Sequence, residues 1–195
     1  IAIKERLGKG MIGKAVIIGG GAIGLEMAES FADLWGVETS LIEFMPQVLP
    51  RIIDAPFAAM LSHHMAKHGV TIYTGEGANA IEGDDNGRVC RVVTPKRTIE
   101  ADIVVMAAGV RPRTELARAA GLLVSPLGIV VNSRLQTSDP SIYAAGDCIE
   151  TINLITGKKF YAPMGSLANR QGRVVGDNLA GIPSTFPGVI GSFVM

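Results

Sequence analysis

Cysteine is scarce in this 195-residue sequence, which contains only Cys90 and Cys148. The two are far apart and form no C-x-x-C motif, so neither a disulfide framework nor a four-ligand structural zinc site is expected. Each is better interpreted as a small buried residue than as a redox thiol. The low cysteine content also favours a reducing compartment, and we therefore expect a cytoplasmic protein.

Neither sign of charge is in excess, since 18 basic and 18 acidic residues give a net charge of zero. Nucleic-acid-binding proteins usually carry a basic patch, and without a basic block nucleic acid is not an expected partner. No apolar run approaches the roughly 20 residues that cross a bilayer, so no membrane association is expected. The first residues show neither a signal peptide nor an initiating methionine, and we expect a piece of a longer chain.

Alternating strand and helix signals dominate the first half of the chain. Residues 15–18 predict a strand buried on both faces, followed by further strands at 39–43, 70–73 and 103–106. Residues 22–35 predict a helix that ends at Gly36, with an apolar arc of Ile23, Met27, Phe31 and Leu34 beside a small-residue stripe of Gly24, Ala28 and Ala32. A second helix at 55–68 has Phe57, Leu61 and Met65 on one face and ends at Gly69. Residues 79–99 predict a β meander with a turn at 84–87.

The second half predicts a short helix at 114–120, strands at 127–131 and 142–145, a helix at 166–180 and a linker at 183–188. The fold class expected from both halves is α/β, with a Rossmann-like parallel sheet, flanking helices and a β meander.

The strongest local signal is Gly19-x-Gly21-x-x-Gly24, placed between the first strand and the first long helix. In dinucleotide-binding βαβ units the first glycine makes the turn, the second admits the pyrophosphate, and the third lets the helix approach the strand. The backbone of Ala22 and Ile23 at the helix N-terminus would present N–H groups to the phosphates. The motif predicts an adenine dinucleotide as ligand.

Glu43 lies 19 residues after Gly24, at the end of the second predicted strand. An acid there is expected to accept hydrogen bonds from the adenosine ribose and to repel a 2′-phosphate, which predicts NADH over NADPH. The next basic residue is Arg51. Glu26 falls in the first helical turn, where either the helix dipole alone or a role near the nicotinamide explains an acid.

Three further segments carry a family resemblance: residues 107–112 (Ala107-Ala108-Gly109-Val110-Arg111-Pro112), residues 137–148, which end in Gly146-Asp147-Cys148, and residues 162–173, which contain Ala168-Asn169-Arg170-Gln171-Gly172. Together with the glycine loop they resemble the pyridine nucleotide-disulfide oxidoreductase superfamily, and within it the branch of NADH oxidases and coenzyme A disulfide reductases. In that family an NAD domain is inserted into an FAD domain, and a dimerisation domain follows.

The resemblance implies a division of the chain into four parts. Residues 1–13 would lead in from the FAD domain, 14–112 would bind NAD(H), 113–185 would return to the FAD domain, and 186–195 would begin the dimerisation domain. It also implies a homodimer in the intact protein and a redox cysteine upstream of this chain.

The resemblance further assigns cofactor contacts. Ala108 and Gly109 would line the NAD site by their backbone. Asp147 would hydrogen-bond the FAD ribitol, and Gly146 would allow close approach of the flavin. Ser166, Leu167 and Ala168 would lie near the flavin ring.

The implied activity is hydride transfer from NADH to FAD and on to a disulfide or oxygen, with no turnover by this portion alone. Two alternatives stay open. One is a flavoprotein reductase for rubredoxin or ferredoxin, and the other is a standalone NAD-binding module.

Three histidines, His63, His64 and His68, also suggest a metal site, but no cysteine or carboxylate stands near them in sequence. Core or helix-capping roles are the better interpretation.

Overall fold

The computed structural model describes residues 2–50 and 52–191. The chain divides into two compact units, Ile1–Gly109 and Val110–Met195. The division expected at residues 13, 112 and 185 refers to the domains of a longer enzyme and stays a prediction.

The first unit consists of a parallel sheet, three helices and a β meander. In chain order its elements are helix α1 (Ala2–Gly8), strand β1 (Lys14–Ile18), helix α2 (Ala22–Glu29) with a π-helical extension (Ser30–Leu34), strand β2 (Glu38–Glu43), helix α3 (Ala55–Lys67), strand β3 (Val70–Thr74), meander strands β4 (Ala80–Gly83), β5 (Val89–Val93) and β6 (Thr98–Glu100), and strand β7 (Ile103–Met106). The parallel sheet has the order β3-β2-β1-β7, and the meander forms a separate antiparallel sheet. The α/β class expected from the sequence is confirmed.

Strand β1 lies inside this sheet, and its alternate residues enter two different hydrophobic clusters. Ala15 and Ile17 pack with residues of α2 and α3, such as Leu25 and Met65. Val16 and Ile18 pack with Val92 and others on the meander side. Because both faces of β1 are covered, every residue from Ala15 to Ile18 must be apolar. The burial predicted for this segment is therefore confirmed.

Helix α2 packs through its small residues, and the predicted apolar arc is only half correct: Phe31 is buried and Met27 partly buried, as expected, but Ile23 and Leu34 are not. Ile23 is 61% exposed and Leu34 74% exposed, whereas Leu25, Ala28 and Phe31 are buried. The small residues allow the helix to approach the sheet closely, so the neighbouring Leu25 becomes buried and Ile23 does not. The π-helical turn at Ser30–Leu34 also shifts the helical register before Leu34.

The buried face predicted for helix α3 is wrong at one residue, Phe57. Phe57 is exposed, and the buried residues are Ala58 and Met65, with Leu61 partly buried. The predicted helix ends are confirmed, because Gly36 and Gly69 follow the last helical turns with φ of 64° and 83°.

The second unit contains helix α4 (Glu115–Ala119), short strands β8 (Val124–Ser125), β9 (Gly128–Ile129), β10 (Thr151–Ile152) and β11 (Lys159–Phe160), and helix α5 (Gly165–Leu179). Its core includes Ile129, Leu135, Ile149, Leu167 and Phe186.

Two predicted features of the second unit are wrong. Residues 142–145 form no strand, since only an isolated bridge joins Tyr143 to Gln136, and the Ile142 N–H donates to the Asp139 carbonyl in a turn. The strand at 127–131 shortens to Gly128–Ile129.

The segment predicted as a linker carries the buried Phe186, whose N–H donates to the Ser133 carbonyl. Residues 192–195, at the end of the segment assigned to dimerisation, lie outside the described residues. None of the helices within residues 2–50 and 52–191 has both the length and the apolar character needed to cross a membrane.

The loop glycines predict a matched pair of stability effects. A Cβ on Gly24 would lie 1.8 Å from the Gly19 carbonyl oxygen, whereas a Cβ on Gly21 would meet no atom within 4 Å. We expect Gly24→Ala to lower the free energy of unfolding by roughly 3 kcal/mol or more, since backbone must move to relieve the clash. Gly21→Ala is expected to cost less than about 1 kcal/mol.

Urea titration followed by circular dichroism measures both changes. Equal stability of the two variants would contradict the close packing of α2 at Gly24.

Candidate functional site

The glycine loop turns tightly between β1 and α2. Gly19 has a φ of 112°, and a Cβ there would lie 2.3 Å from the Ala107 carbonyl oxygen. The Gly19 N–H donates to the Ile42 carbonyl at 2.8 Å, and the Gly20 carbonyl accepts from Leu49 N–H at 2.9 Å. Gly21 is the N-cap of α2, and no side chain caps this end of the helix. The first N–H groups of α2 are therefore not satisfied by a side chain of their own cap.

Glu43 ends strand β2 directly beside this loop. Its side chain is buried, with the residue only 8% exposed. Oε2 accepts a hydrogen bond from the Gly20 N–H at 2.6 Å, and Oε1 accepts one from the Met45 N–H at 2.7 Å. A carboxylate has about four acceptor positions, so each oxygen can accept a further hydrogen bond. The Glu43 carboxylate is thus held in place by two hydrogen bonds and can accept at least one further hydrogen bond on each oxygen.

A cleft of about 600 Å³ opens at the carboxyl ends of these parallel strands. Five of the residues predicted from the sequence line it: Gly19, Gly21, Glu43, Ala108 and Gly109. The carboxyl edge of an open α/β sheet is the usual ligand position. The structure therefore brings the glycine loop, the acid and the 108–109 segment to one place.

The other predicted NAD-site residues do not line this cleft. Gly24 is buried under the loop, where it allows the helix to approach. Ile23 and Glu26 are exposed on α2, and Ala22 is half-buried at its start. Among the described residues the Glu26 side chain has no hydrogen-bond or ion-pair partner that would decide between its two interpretations.

Sequence reasoning missed the wall opposite the glycine loop. Phe44, Met45, Glu76, Gly77 and Ala78 line the cleft. Phe44 is 77% exposed, and a Cβ on Gly77 would lie 3.2 Å from its ring. The signal available in the sequence was the position of Glu76 and Gly77 just after β3, since neighbouring parallel strands end at the same edge.

Glu76 is buried, with 4% of its surface exposed, and is held by side chains of the meander. Its Oε1 accepts hydrogen bonds from the Thr94 hydroxyl and, at 3.0 Å, from Arg97 Nε. The Thr94 hydroxyl, together with the Arg97 guanidinium, holds the pKa of Glu76 below its ordinary value. The Arg97 guanidinium carbon lies 4.0 Å from the centroid of the Tyr73 ring, a cation–π contact.

The cleft is acidic in its described part. Its lining residues include Glu43 and Glu76 and, within the described ranges, neither lysine nor arginine. Arg51, the first basic residue after Glu43, lies outside the described residues.

In the second unit, the 146–147 segment lies against helix α5. The Gly146 N–H donates to Gln171 Oε1 at 2.7 Å, and Gln171 is buried. A Cβ on Gly146 would lie 3.5 Å from the Ala168 Cβ, and φ of Gly146 is 84°. The structure thus brings two of the predicted residues, Gly146 and Ala168, together. The sequence motif predicts no role for Gln171, and its burial and its bond to Gly146 are visible only in the structure.

The remaining residues predicted for a flavin differ in exposure. Asp147 and Ser166 are exposed, whereas Leu167 belongs to the core of the unit. Burial raises the pKa of the Tyr161 hydroxyl, and the negative charge of nearby Asp147 adds to this.

The cysteines and histidines form no site in the described residues. Cys90 and Cys148 are unpaired and partly buried. The core interpretation of the histidines is wrong, since His63, His64 and His68 are exposed, but His68 Nδ1 lies 2.9 Å from the His64 carbonyl oxygen, as expected for a helix-end contact. Across residues 2–50 and 52–191 no three His, Cys, Asp or Glu side chains group as metal ligands.

Similar curated proteins include an NADH oxidase of Methanocaldococcus jannaschii, 40% identical over 93% of this chain and 40% of its own length. An NAD(P)H coenzyme A polysulfide/persulfide reductase of Pyrococcus horikoshii is 38% identical over all of this chain and 43% of its own length. The chain thus spans about two fifths of the length of these relatives.

Similar solved structures agree with the sequence relatives. An FAD-dependent pyridine nucleotide-disulphide oxidoreductase from Desulfovibrio vulgaris has a TM-score of 0.88 and 51% identity, over 93% of this chain and 46% of that one. A water-forming NADH oxidase from Lactobacillus brevis, bound to NADH, has a TM-score of 0.85 and 28% identity, over 96% of this chain and 40% of that one. The fold of this chain recurs in flavoprotein oxidoreductases.

A family model confirms the resemblance carried by the glycine loop and the 107–112 and 137–148 segments, whereas the 162–173 segment lies outside the residues that it matches. The model described as pyridine nucleotide-disulphide oxidoreductase matches residues 2–159. This chain therefore belongs to the pyridine nucleotide-disulphide oxidoreductase family.

Proposed function

We propose that this chain is the NAD(H)-binding portion, with the returning part of the FAD domain, of an FAD-dependent pyridine nucleotide-disulfide oxidoreductase. The intact enzyme passes hydride from NADH to FAD and on to a disulfide or oxygen. The observation that carries the proposal is Glu43, fixed by two backbone N–H groups beside the glycine loop and facing the cleft.

The first unit fits an adenine dinucleotide by its own residues. Gly21 faces open space, so a pyrophosphate can approach the backbone at the uncapped N-terminus of α2. The spare acceptor positions of Glu43 suit the two hydroxyls of the adenosine ribose. A phosphate on the 2′ position would meet the carboxylate charge at close range, which favours NADH.

The FAD role rests on the second unit. When bound, FAD accepts hydride and passes electrons onward one or two at a time. Gly146, held by Gln171, leaves room for a close ligand approach, and the exposed Asp147 offers acceptors for the ribitol hydroxyls. Ser166 and Ala168 lie at the start of α5, where an electron-rich ring can meet backbone N–H groups.

The names of relatives support both the donor and the range of acceptors. The Methanocaldococcus jannaschii relative is named as an NADH oxidase, and the Pyrococcus horikoshii relative as a coenzyme A polysulfide/persulfide reductase that uses NAD(P)H. An electron acceptor that is oxygen is consistent with the first name, and an acceptor with a sulfur–sulfur bond is consistent with the second.

A second candidate is an electron-transfer reductase. A ferredoxin reductase from Rhodopseudomonas palustris has a TM-score of 0.83 and 31% identity to this chain. The sequence upstream of residue 1 separates these two candidates and a third, a standalone NAD-binding module, because an early redox cysteine there favours a disulfide or oxygen acceptor. An upstream FAD loop without that cysteine favours the carrier reductase, and the absence of both favours a standalone NAD-binding module.

The charge of Glu43 predicts the cofactor preference. The wild-type chain is expected to bind NADH more tightly than NADPH by roughly 1 to 4 kcal/mol, the cost of a like charge at about 4 Å. Glu43→Gln removes this charge and one acceptor for the ribose hydroxyls. The affinity for NADH is therefore expected to fall, and the preference for NADH over NADPH is expected to become smaller. Isothermal titration calorimetry with both nucleotides measures the ratio.

Glu38→Gln is the matched control, because Glu38 is exposed at the opposite end of the same strand. It is expected to leave both affinities unchanged. Tighter binding of NADPH than NADH by the wild-type chain would refute the role of Glu43.

The exposed ring of Phe44 predicts a stacking contribution to adenine binding. Phe44→Ala is expected to weaken NADH binding by roughly 5- to 100-fold, the range that a base–aromatic stack contributes. Phe57→Ala removes a similarly exposed phenylalanine of the same unit that does not line the cleft, and is expected to have no effect. Equal affinities in the two variants would exclude Phe44 from the site.

The partial flavin site predicts weak or absent FAD retention by this chain alone. Purified protein is expected to be colourless and to bind NADH far more tightly than FAD in calorimetric titrations. A yellow preparation with stoichiometric FAD would show that the residues present here suffice for the flavin.

A further inference from the structure

The wall of the cleft formed by residues 76–78, together with the preceding Gly75, is hydrogen-bonded to the rest of the unit on both sides. On one side the Gly75 N–H donates to the Met45 carbonyl at 2.8 Å, and the Glu76 N–H donates to the Glu43 carbonyl at 3.1 Å. These bonds join the wall to the segment that carries the ribose-binding acid. Any shift of residues 75–76 is therefore transmitted to Glu43 and Met45.

On its other side the wall is held by the turn between β5 and β6. Arg97 Nε and the Thr94 hydroxyl both donate to Glu76 Oε1, and Lys96 Nζ donates to the Gly75 carbonyl at 3.3 Å. The turn itself is closed by the Thr94 N–H, which donates to the Arg97 carbonyl at 2.9 Å. The Tyr73 ring lies under the Arg97 guanidinium in a cation–π contact, which favours this position of the arginine side chain.

The Glu76–Arg97 pair differs from the other ion pairs of the first unit in burial. The side chains of Arg91 and Glu82 are 53% and 41% exposed, and those of Lys14 and Glu100 are 41% and 74% exposed. The Glu76 side chain is 1% exposed and the Arg97 side chain 39%. Exposed pairs contribute little, whereas loss of the partner of a buried carboxylate forces that carboxylate to move or to take up a proton.

We propose that Arg97 is a positioning residue for dinucleotide binding, which acts by holding Glu76 and, through it, the adenosine side of the cleft. This inference rests on the proposed function. Arg97 itself does not line the cleft. Its loss leaves the glycine loop intact and displaces the wall that faces the adenine and its ribose.

The test compares Arg97→Gln with Arg91→Gln in the 195-residue chain. Both changes remove an arginine of the meander from a carboxylate, but only Arg97 is joined to the cleft. Calorimetric titrations use NADH and ADP-ribose, which share the adenosine half. Arg97→Gln is expected to weaken both ligands by the same factor, on the order of tenfold, the size of one lost hydrogen bond to a charged group. Arg91→Gln is expected to change either affinity less than twofold.

Two further variants separate positioning from general stability. Arg97→Lys retains the charge but loses the planar contact with Tyr73, and is expected to recover part of the affinity. If Arg97→Gln does not fold, Tyr73→Leu tests the same contact and is expected to weaken both ligands in the same direction, with thermal melts showing that the variant is folded at the titration temperature.

Equal affinities of Arg97→Gln and Arg91→Gln for NADH would overturn the inference, and so would an undiminished affinity of Arg97→Gln for ADP-ribose. A wild-type chain that binds neither ligand would instead overturn the proposed function, and this inference with it.

Discussion

Helix α2 can begin against the end of strand β1 because Gly24 has no side chain. A Cβ at this position would overlap the Gly19 carbonyl, at 1.8 Å. In a second close approach Gly19 lies against Ala107, where a Cβ on Gly19 would be 2.3 Å from the Ala107 carbonyl oxygen. The loop, the helix start and the residue after β7 are therefore packed together. The glycine-loop side of the cleft therefore depends on two close backbone approaches, at Gly19 and Gly24, that a larger residue would prevent.

The register of the parallel strands then places the acid. Ile18 pairs with Ile42, and the Gly19 N–H donates to the Ile42 carbonyl, so the next residue of β2 lies beside the loop. That residue is Glu43, and its carboxylate accepts the Gly20 and Met45 N–H groups. The acid is thus oriented before any ligand arrives, which lowers the ordering cost of binding.

The features predictable from the sequence were those fixed by backbone constraints. The buried strand at 15–18, the glycine loop and Glu43 follow from apolar runs and from spacing within one βαβ unit. The buried faces of α2 and α3 were predictable only in part: Phe31 and Met65 are buried as expected, but Ile23 and Phe57 are as apolar as the residues that pack and are exposed, so periodicity alone does not decide between neighbours. Phe44 and Glu76 join the site through a contact between two loops, which no periodicity records.

The two carboxylates of the cleft have different electrostatic consequences. Glu76 is compensated by the Arg97 guanidinium and the Thr94 hydroxyl, so little of its charge is felt by a ligand. Among the described residues, the hydrogen bonds that the Glu43 carboxylate accepts come from two neutral backbone N–H groups. No described residue that lines the cleft is a cation, so none compensates the charge of Glu43. Under the proposed function, discrimination against a 2′-phosphate therefore belongs to Glu43, whereas Glu76 acts on the shape of the cleft. Under that proposal the same side-chain type serves electrostatics at one strand end and positioning at the next, because among the described residues a cation lies beside Glu76 and none beside Glu43.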